Sequence, residues 1–277
     1  MVSMRRSLFI GDSHTCGYYS TAGKIGPGSY SYWNDNIYSE RYGDLNKRPV
    51  VTYAMAGVYN RVYSEWLKSM FERYNDIDEV FICLAPLNRF VISYDPELRD
   101  EALPVDHFTM KMEDSPVDAD RYVDHTVSEG VVQLFNKPIY DDYSKFPGFD
   151  LSQYDGLKSP DLRKHSFMQI KLFYEMNTYQ EKRDFLNCVY TWDNICNDNN
   201  ANLYIFHFAD RGKYPGKTDY YGPLKRTTVS PMTVQSYFKS KMIDHEKYLI
   251  EDNEHYNREF HEMIAEKFLP WIKSLKS

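Results

Sequence analysis

A short apolar run near the start of the chain ends in a glycine, an aspartate and a serine. Residues 7–10 are Ser-Leu-Phe-Ile, and Gly11, Asp12 and Ser13 follow them directly. A strand that runs into a glycine turn leaves the next side chain at the edge where open α/β sheets bind ligands. A serine there can act as a nucleophile once a histidine, oriented by a carboxylate, takes its proton. Ser13 is therefore a candidate nucleophile, and we expect Asp12 to bond backbone groups of the turn.

The best candidate for the base is His255, one of eight histidines. It stands directly before an amphipathic stretch at the end of the chain, and Asp252 lies three residues before it. On a loop or a first helical turn this spacing places a carboxylate beside an imidazole. The same pattern is also typical of a helix start, in which Asp252 caps backbone N–H groups and His255 is merely solvated. The spacing alone leaves both interpretations open.

Two further histidines lie where they can reach such a site. His14 adjoins Ser13, and we expect its side chain to point away from that serine along the turn. His207 ends an apolar run on the ligand side of a sheet, where it either touches substrate or is a hydrogen-bonded structural histidine. We expect Cys16 to be inert.

The apolar pattern predicts the elements that must position these residues. Nearly continuous apolar runs predict strands at residues 7–10, 49–54, 78–84 and 203–208. Apolar residues at three-to-four-residue spacing predict helices at residues 30–42, 59–74, 162–198 and 256–275. No regular element is predicted from residue 210 to residue 249. Strands that alternate with helices are typical of an α/β fold with a parallel sheet.

Residues 93–161 break this alternation. They hold 6 of the 13 prolines and 16 acidic residues against 6 basic ones. We expect an insertion over one end of the sheet, part loop and part short helix or hairpin, within a single domain of residues 1–277. A structureless loop of this length is improbable in a compact domain. The insertion can serve as a lid or as a surface for contacts with another protein.

Composition argues against several functional classes. A net charge of −7 disfavours a general nucleic-acid surface. The apolar run at residues 8–10 is too short for a signal peptide, and no run approaches the ~18 residues of a membrane span, so we expect cytoplasmic synthesis. The four cysteines lack metal-ligand spacing, and we expect no metal, cofactor or disulfide. The 25 tyrosines suit either carbohydrate-facing surfaces or the boundary of the core.

Four short blocks, taken in chain order, resemble the SGNH hydrolase superfamily, the GDSL-type esterases and lipases. They are residues 9–14 (Phe-Ile-Gly-Asp-Ser-His), 53–57 (Tyr-Ala-Met-Ala-Gly), 84–89 (Leu-Ala-Pro-Leu-Asn-Arg) and 252–257 (Asp-Asn-Glu-His-Tyr-Asn). The resemblance implies a flavodoxin-like, three-layer α/β/α sandwich with a parallel sheet of about five strands. It also implies Ser13 as nucleophile, His255 as base and Asp252 as the carboxylate that orients it. The implied oxyanion donors are the N–H groups of Ser13 and Gly57 and the side-chain amide of Asn88.

The third block departs from the pattern of that family. Where the family usually has Gly-x-Asn-Asp, this chain has no glycine and a single asparagine, Asn88, with Arg89 after it. Asn88 is then either an oxyanion donor or a turn residue that follows a strand. Arg89 can place a positive charge at the edge of the site. In the second block, Tyr53 and Ala54 stand where the family commonly carries an asparagine.

The resemblance implies a serine esterase that works through an acyl-enzyme, such as an acetylesterase acting on O-acetyl groups of a carbohydrate. An acyltransferase would use the same acyl-enzyme with an alcohol other than water as acceptor. The alternative is a protein of this fold with weak or lost activity and a structural or glycan-binding role. Divergent single-domain relatives of this kind look similar to proteins of bacterial viruses, so that role includes a component of the virion.

Overall fold

The computed structural model describes residues 5–20, 31–33, 37–54, 60–85, 89–93, 107–111, 119–124, 131–136, 178–209, 223–250 and 255–275. Its strands are β1 (Arg6–Gly11), β2 (Tyr18–Ser20), β3 (Ser31–Trp33), β4 (Val50–Ala54), β5 (Ile77–Leu84), β6 (Arg89–Ser93), β7 (His107–Lys111), β8 (Ala119–Asp124), β9 (Val131–Asn136), β10 (Asn202–His207) and β11 (Thr227–Val229). Its α-helices are α1 (Ser13–Cys16), α2 (Tyr38–Asn46), α3 (Tyr63–Arg73), α4 (Thr178–Asp198), α5 (Val234–Ser240), α6 (Arg258–Met263) and α7 (Leu269–Ser274). Short 3₁₀ turns lie at Asn60–Val62 and His245–Tyr248. A π-helical stretch, Ile264–Phe268, joins α6 to α7, and we call these three pieces together the closing helix.

Five neighbouring strands of a seven-stranded sheet are all parallel, in the order β4-β1-β5-β10-β11. Numbered along the chain among themselves, they follow the doubly wound order 2-1-3-4-5 of flavodoxin-like folds. The prediction of an α/β fold with a parallel sheet of about five strands is confirmed. In this order the chain changes direction across the sheet between β1 and β5, so the crevice for a ligand opens at the carboxyl ends of these two strands.

Side chains of the sheet alternate between two faces, and each face has its own apolar core. In β1, Leu8 and Ile10 face α3 and α4, whereas Phe9 between them faces α2, α5 and the closing helix. All three side chains are fully buried. A parallel sheet needs such cover on both faces, which explains why its strands are nearly continuously apolar. The helices on the two faces make the three-layer α/β/α sandwich.

Part of the segment at residues 93–161 extends the sheet. Strand β8 pairs in parallel with β4, and β7 pairs antiparallel with β8 at the outer edge. Strand β9 pairs instead with β6 in a separate antiparallel ribbon that begins at Arg89, before the predicted start of the insertion. Strand β8 thus pairs with the backbone edge that β4 would otherwise expose. The remainder of the segment lies outside the described residues, so its role as a lid or contact surface stays a prediction.

The helix predicted at residues 30–42 is largely wrong. Residues 31–33 form β3, which pairs with β2, and α2 begins only at Tyr38. The side chain of Glu40 accepts the N–H of Ile37 at 3.3 Å, and the N–H of Tyr38 donates to Nδ1 of His261 at 3.3 Å. Because His261 lies on the closing helix, the start of α2 depends on a tertiary contact that local periodicity does not encode. The structure also has β11 and α5 within residues 210–249, where no element was predicted.

A buried charge cluster lies at the amino ends of the strands, opposite the crevice. Glu79 accepts hydrogen bonds from Ser7 Oγ at 3.1 Å, Tyr42 OH at 2.9 Å and Lys273 Nζ at 2.5 Å, and it pairs with Arg48. Burial acts to raise the pKa of Glu79, but the bond from Lys273 and the charge of Arg48 hold the pKa below its ordinary value. The cluster fastens the end of the closing helix to β1 and β5.

The short edge strand β11 is fastened to α4 by Asp193. The buried carboxylate of Asp193 accepts the N–H groups of Lys225 at 2.9 Å and Arg226 at 3.0 Å, and the hydroxyl of Thr227 at 2.6 Å. Burial acts to raise the pKa of this carboxyl, but the three hydrogen bonds hold the pKa below its ordinary value. A three-residue strand forms few backbone hydrogen bonds with its neighbour. The hydrogen bonds of Asp193 therefore determine the position of β11.

We expect Asp193→Ala to lower the free energy of unfolding by about 2–3 kcal/mol, because it leaves three donors without their acceptor. Urea unfolding followed by circular dichroism measures the change. Asn194→Ala is the matched control: its side chain is exposed and accepts a hydrogen bond from the exposed Lys225 Nζ, so its effect should stay within about 0.5 kcal/mol. A loss in Asp193→Ala no larger than that of the control would contradict the anchor.

Candidate active site

The structure brings Ser13 and His255 together, although they lie 242 positions apart in the chain. Ser13 Oγ is 2.8 Å from Nε2 of His255, within hydrogen-bond distance. Ser13 follows β1 and is 5% exposed, whereas His255 stands before the closing helix and is half-buried. The pair lies at the carboxyl end of β1, at the crevice defined by the strand order.

Asp12 holds the turn that carries Ser13. Its side chain caps α1 by accepting the N–H of His14 at 3.1 Å, and its carbonyl accepts the N–H of Thr15 at 2.9 Å. The expectation that Asp12 bonds backbone groups of the turn is confirmed. Because Ser13 is the first residue of α1, its own N–H has no acceptor within that helix.

Gly11 is required where β1 meets α1. A Cβ atom at this position would lie 2.0 Å from Thr15 Oγ1 and 3.0 Å from Cys83 Cβ. The Thr15 hydroxyl is itself held at 2.8 Å by the hydroxyl of Tyr38. The chain can therefore turn from β1 into α1 this closely only because Gly11 has no side chain.

We expect Gly11→Ala to destabilise the fold by about 1–3 kcal/mol and to displace α1, because the added methyl overpacks a closed space. Thermal or urea unfolding measures the first effect, and the labelling of Ser13 by a fluorophosphonate probe reports the second. In a double-mutant cycle, Thr15→Ala removes the nearest atom and should recover part of the loss. Stability of Gly11→Ala within 0.5 kcal/mol of wild type would show that the close approach is not limiting.

His255 takes its position from contacts around the residue that follows it. The buried hydroxyl of Tyr256 accepts a hydrogen bond from Gln235 Nε2 at 2.7 Å and lies 3.0 Å from Nδ1 of His245. The carbonyl of His255 accepts the N–H of Ile250 at 2.9 Å. The sequence indicated Tyr256 only as an apolar position of the last helix. Its polar partners on α5 and the 3₁₀ turn were not predicted.

The side chain of His14 lies next to His255, and no contact with the Ser13 hydroxyl is seen among the described residues. Its ring centroid is 4.9 Å from that of His255 and 4.3 Å from that of Phe208, on which it stacks. Its Nδ1 lies 3.3 Å from the carboxylate of Asp12. Ser13 and His14 are the first two residues of a helix, where successive side chains are about 100° apart rather than opposed. His14 therefore belongs to the surroundings of His255.

His207 ends β10 beside Leu84 of β5, on the same edge of the sheet as Ser13. Burial lowers the pKa of His207 to about 3, although the charge of Asp12 acts to raise it. The ring is therefore neutral at physiological pH. Whether it touches a substrate stays a prediction.

We expect His207→Gln to reduce the acid sensitivity of the fold. In the unfolded chain His207 binds a proton below its ordinary pKa of about 6.5, whereas in the folded protein it stays neutral. Protonation therefore stabilises the unfolded state, and the free energy of unfolding decreases as the pH falls below about 6.5. One such histidine accounts for about 1.4 kcal/mol of the difference in unfolding free energy between pH 7.5 and pH 5.5. Urea unfolding at both pH values measures it. The other histidines are common to both proteins. If the difference in unfolding free energy between the two pH values is the same in His207→Gln as in wild type, His207 does not have the lowered pKa.

Asn60 is a buried polar residue that sequence reasoning missed. Its side-chain amide exchanges two hydrogen bonds of 2.9 Å with the backbone of Ala85, directly after β5. The available signal was an asparagine three residues after Gly57, at the start of the next helix.

The side chains of the other candidate residues are not among those that the structure describes. Asp252, Gly57 and Asn88 lie outside the described residues. Arg89 begins β6, and its side chain is not described. The assigned roles of these four residues stay predictions.

Within the described ranges, no group of three histidine, cysteine or acidic side chains is arranged to hold a metal ion. No helix among the same residues is long and apolar enough to cross a membrane. Comparisons of the chain with known protein families, with curated proteins and with solved structures give no significant match. The geometry of the described residues is therefore the basis for a functional conclusion.

Proposed function

We propose that the protein is a serine esterase of the SGNH hydrolase type, with Ser13 as nucleophile and His255 as general base. The observation that carries the proposal is the 2.8 Å distance between Ser13 Oγ and His255 Nε2 at the ligand-binding edge of the sheet. A serine and an imidazole in this arrangement are the two groups that acyl transfer requires first. The four sequence blocks support the same family in the same chain order.

In the first half of the reaction, Ser13 Oγ attacks the acyl carbon of the ester while its proton passes to His255 Nε2. The bond between the acyl carbon and the alcohol oxygen then breaks, and His255 returns the proton to the departing alcohol. In the second half, water attacks the acyl-enzyme and gives its proton to His255. The Ser13–acyl bond breaks, the acid leaves, and Ser13 regains its proton.

The negative charge that develops on the carbonyl oxygen needs donors fixed in advance. The N–H of Ser13 suits this role because it has no acceptor within α1. By resemblance, the N–H of Gly57 and the amide of Asn88 complete the set, and Asp252 orients His255. Removal of one such donor typically costs about 3–4 kcal/mol of transition-state stabilisation.

We infer that the substrate is a small acyl ester, such as an O-acetyl group on a carbohydrate. The sequence is rich in tyrosine, with 25 residues. Aromatic residues of this density suit the apolar faces of sugar rings. An alcohol acceptor in place of water would make the same site an acyltransferase.

A second function rests on the divergent third block. If Asn88, followed by Arg89 in place of the usual aspartate, no longer serves the oxyanion, the same fold would bind a glycan ester or act structurally with little turnover. Such a protein could belong to a virion, with the segment at 93–161 making contacts within the assembly.

We expect Ser13→Ala and His255→Gln each to lower kcat/KM for p-nitrophenyl acetate by at least about 10³-fold, because each removes one member of a unit that acts together. Initial rates measured with folded protein test this. Ser240→Ala is the matched control, since the hydroxyl of this serine donates to the carbonyl of Tyr237 at the end of α5. A fluorophosphonate probe should label wild type but not Ser13→Ala.

Equal turnover by wild type and Ser13→Ala would refute Ser13 as the nucleophile. Absence of both turnover and labelling in the wild type would favour the binding or structural function.

A further inference from the structure

The side chain of Asn60 acts as a substitute for a neighbouring strand at the exit of β5. Its Nδ2 donates to the carbonyl of Ala85 at 2.9 Å, and its Oδ1 accepts the N–H of the same residue at 2.9 Å. Asn60 is buried, and Ala85 is fully buried. One planar amide thus satisfies both backbone groups of the first residue after the strand, which would otherwise be costly to bury.

The exit of β5 is held from other directions as well. The hydroxyl of Tyr63 donates to the carbonyl of Cys83 at 3.3 Å. The side chain of Cys83 in turn lies against the bare backbone of Gly11, next to the turn that carries Ser13. The backbone of Ala85 therefore has a fixed position relative to the start of α1.

The two hydrogen bonds of Asn60 join two segments that are far apart in the chain. Asn60 lies three residues after Gly57, and Ala85 lies three residues before Asn88. The two hydrogen bonds thus tie together the connection that carries Gly57 and the connection that carries Asn88. We propose that Asn60 is a positioning residue, which holds the backbone of Ala85 at the exit of β5 in place relative to the turn that carries Ser13, and through it serves the connections to which the resemblance assigns oxyanion donors; this inference rests on the proposed esterase function.

Only an asparagine fits both bonds at this position. An aspartate has nearly the same shape but lacks the N–H₂ donor, and its charge would face the carbonyl of Ala85. A leucine keeps the volume and makes neither bond. Asn60→Asp and Asn60→Leu therefore separate the hydrogen bonds from the packing.

The experiment compares both variants with wild type and with Ser64→Ala. Ser64 lies on α3 and accepts a hydrogen bond from Trp192 Nε1 at 3.0 Å, so its loss weakens the same helix away from the β5 exit. With p-nitrophenyl acetate we expect kcat to fall about 10- to 100-fold in the Asn60 variants, because donors displaced by even 1 Å stabilise the transition state poorly. We expect KM to change less than about 3-fold, and Ser64→Ala to keep kcat within about 2-fold of wild type.

Two further readouts separate positioning from a general loss of stability. The midpoint of the acid limb of kcat/KM should be the same in wild type and both Asn60 variants, since His255 is untouched. Hydrogen exchange should rise in the peptide covering residues 82–85 of the Asn60 variants, because Asn60 bonds the N–H of Ala85, but not in Ser64→Ala.

A folded Asn60 variant with the kcat of wild type would overturn the inference and leave the esterase proposal intact. A wild type that turns over no faster than Ser13→Ala would overturn the esterase proposal instead. In that case hydrogen exchange decides on Asn60: faster exchange in the peptide covering residues 82–85 supports its positioning role, and unchanged exchange overturns it.

Discussion

The contact between Ser13 and His255 joins residues 242 positions apart, so it exists only if the closing helix is fixed against the sheet. Ser13 is placed locally, because Asp12 caps the short helix that begins with it. His255 directly precedes Tyr256 in the chain. Its position follows from Tyr256, whose ring is buried under Phe208 and whose hydroxyl is held by polar partners. The contact between Ser13 and His255 is therefore a consequence of how the last helix packs.

The closing helix is fastened to the rest of the fold by polar contacts at three levels. At the crevice, Tyr256 bonds to α5 and to a 3₁₀ turn. In the middle, buried His261 accepts the N–H of Tyr38 at the start of α2. At the amino edge of the sheet, Lys273 reaches Glu79 of β5. Apolar packing alone tolerates sliding of a helix along a sheet, whereas buried polar pairs are satisfied in only one register. These three contacts thus fix the height at which His255 meets Ser13.

At the carboxyl ends of β1 and β5, the side chains that fit are limited by the available space rather than by charge. Gly11 lets the backbone of β1 approach Cys83 and Thr15 more closely than any side chain allows. Asn60 occupies the other side of β5 and completes the hydrogen bonding of Ala85. The turn that carries Ser13 thus lies between strand ends that are closely packed and hydrogen-bonded.

The sequence by itself determined the α/β class, the positions of the central strands and most helices, the turn at Gly11 and the choice of His255. These features are local, since apolar periodicity, glycine turns and chain order are all read within a few residues. Only the tertiary structure decided the strand pairing at the sheet edge, the start of α2 at Tyr38 and the orientation of His14 toward His255. It also showed the hydrogen bonds between Asn60 and Ala85, whereas in the sequence Asn60 is an ordinary turn residue. In each case the deciding partner lies far away in the chain, and a pattern of neighbouring residues carries no information about which distant group will satisfy a buried donor.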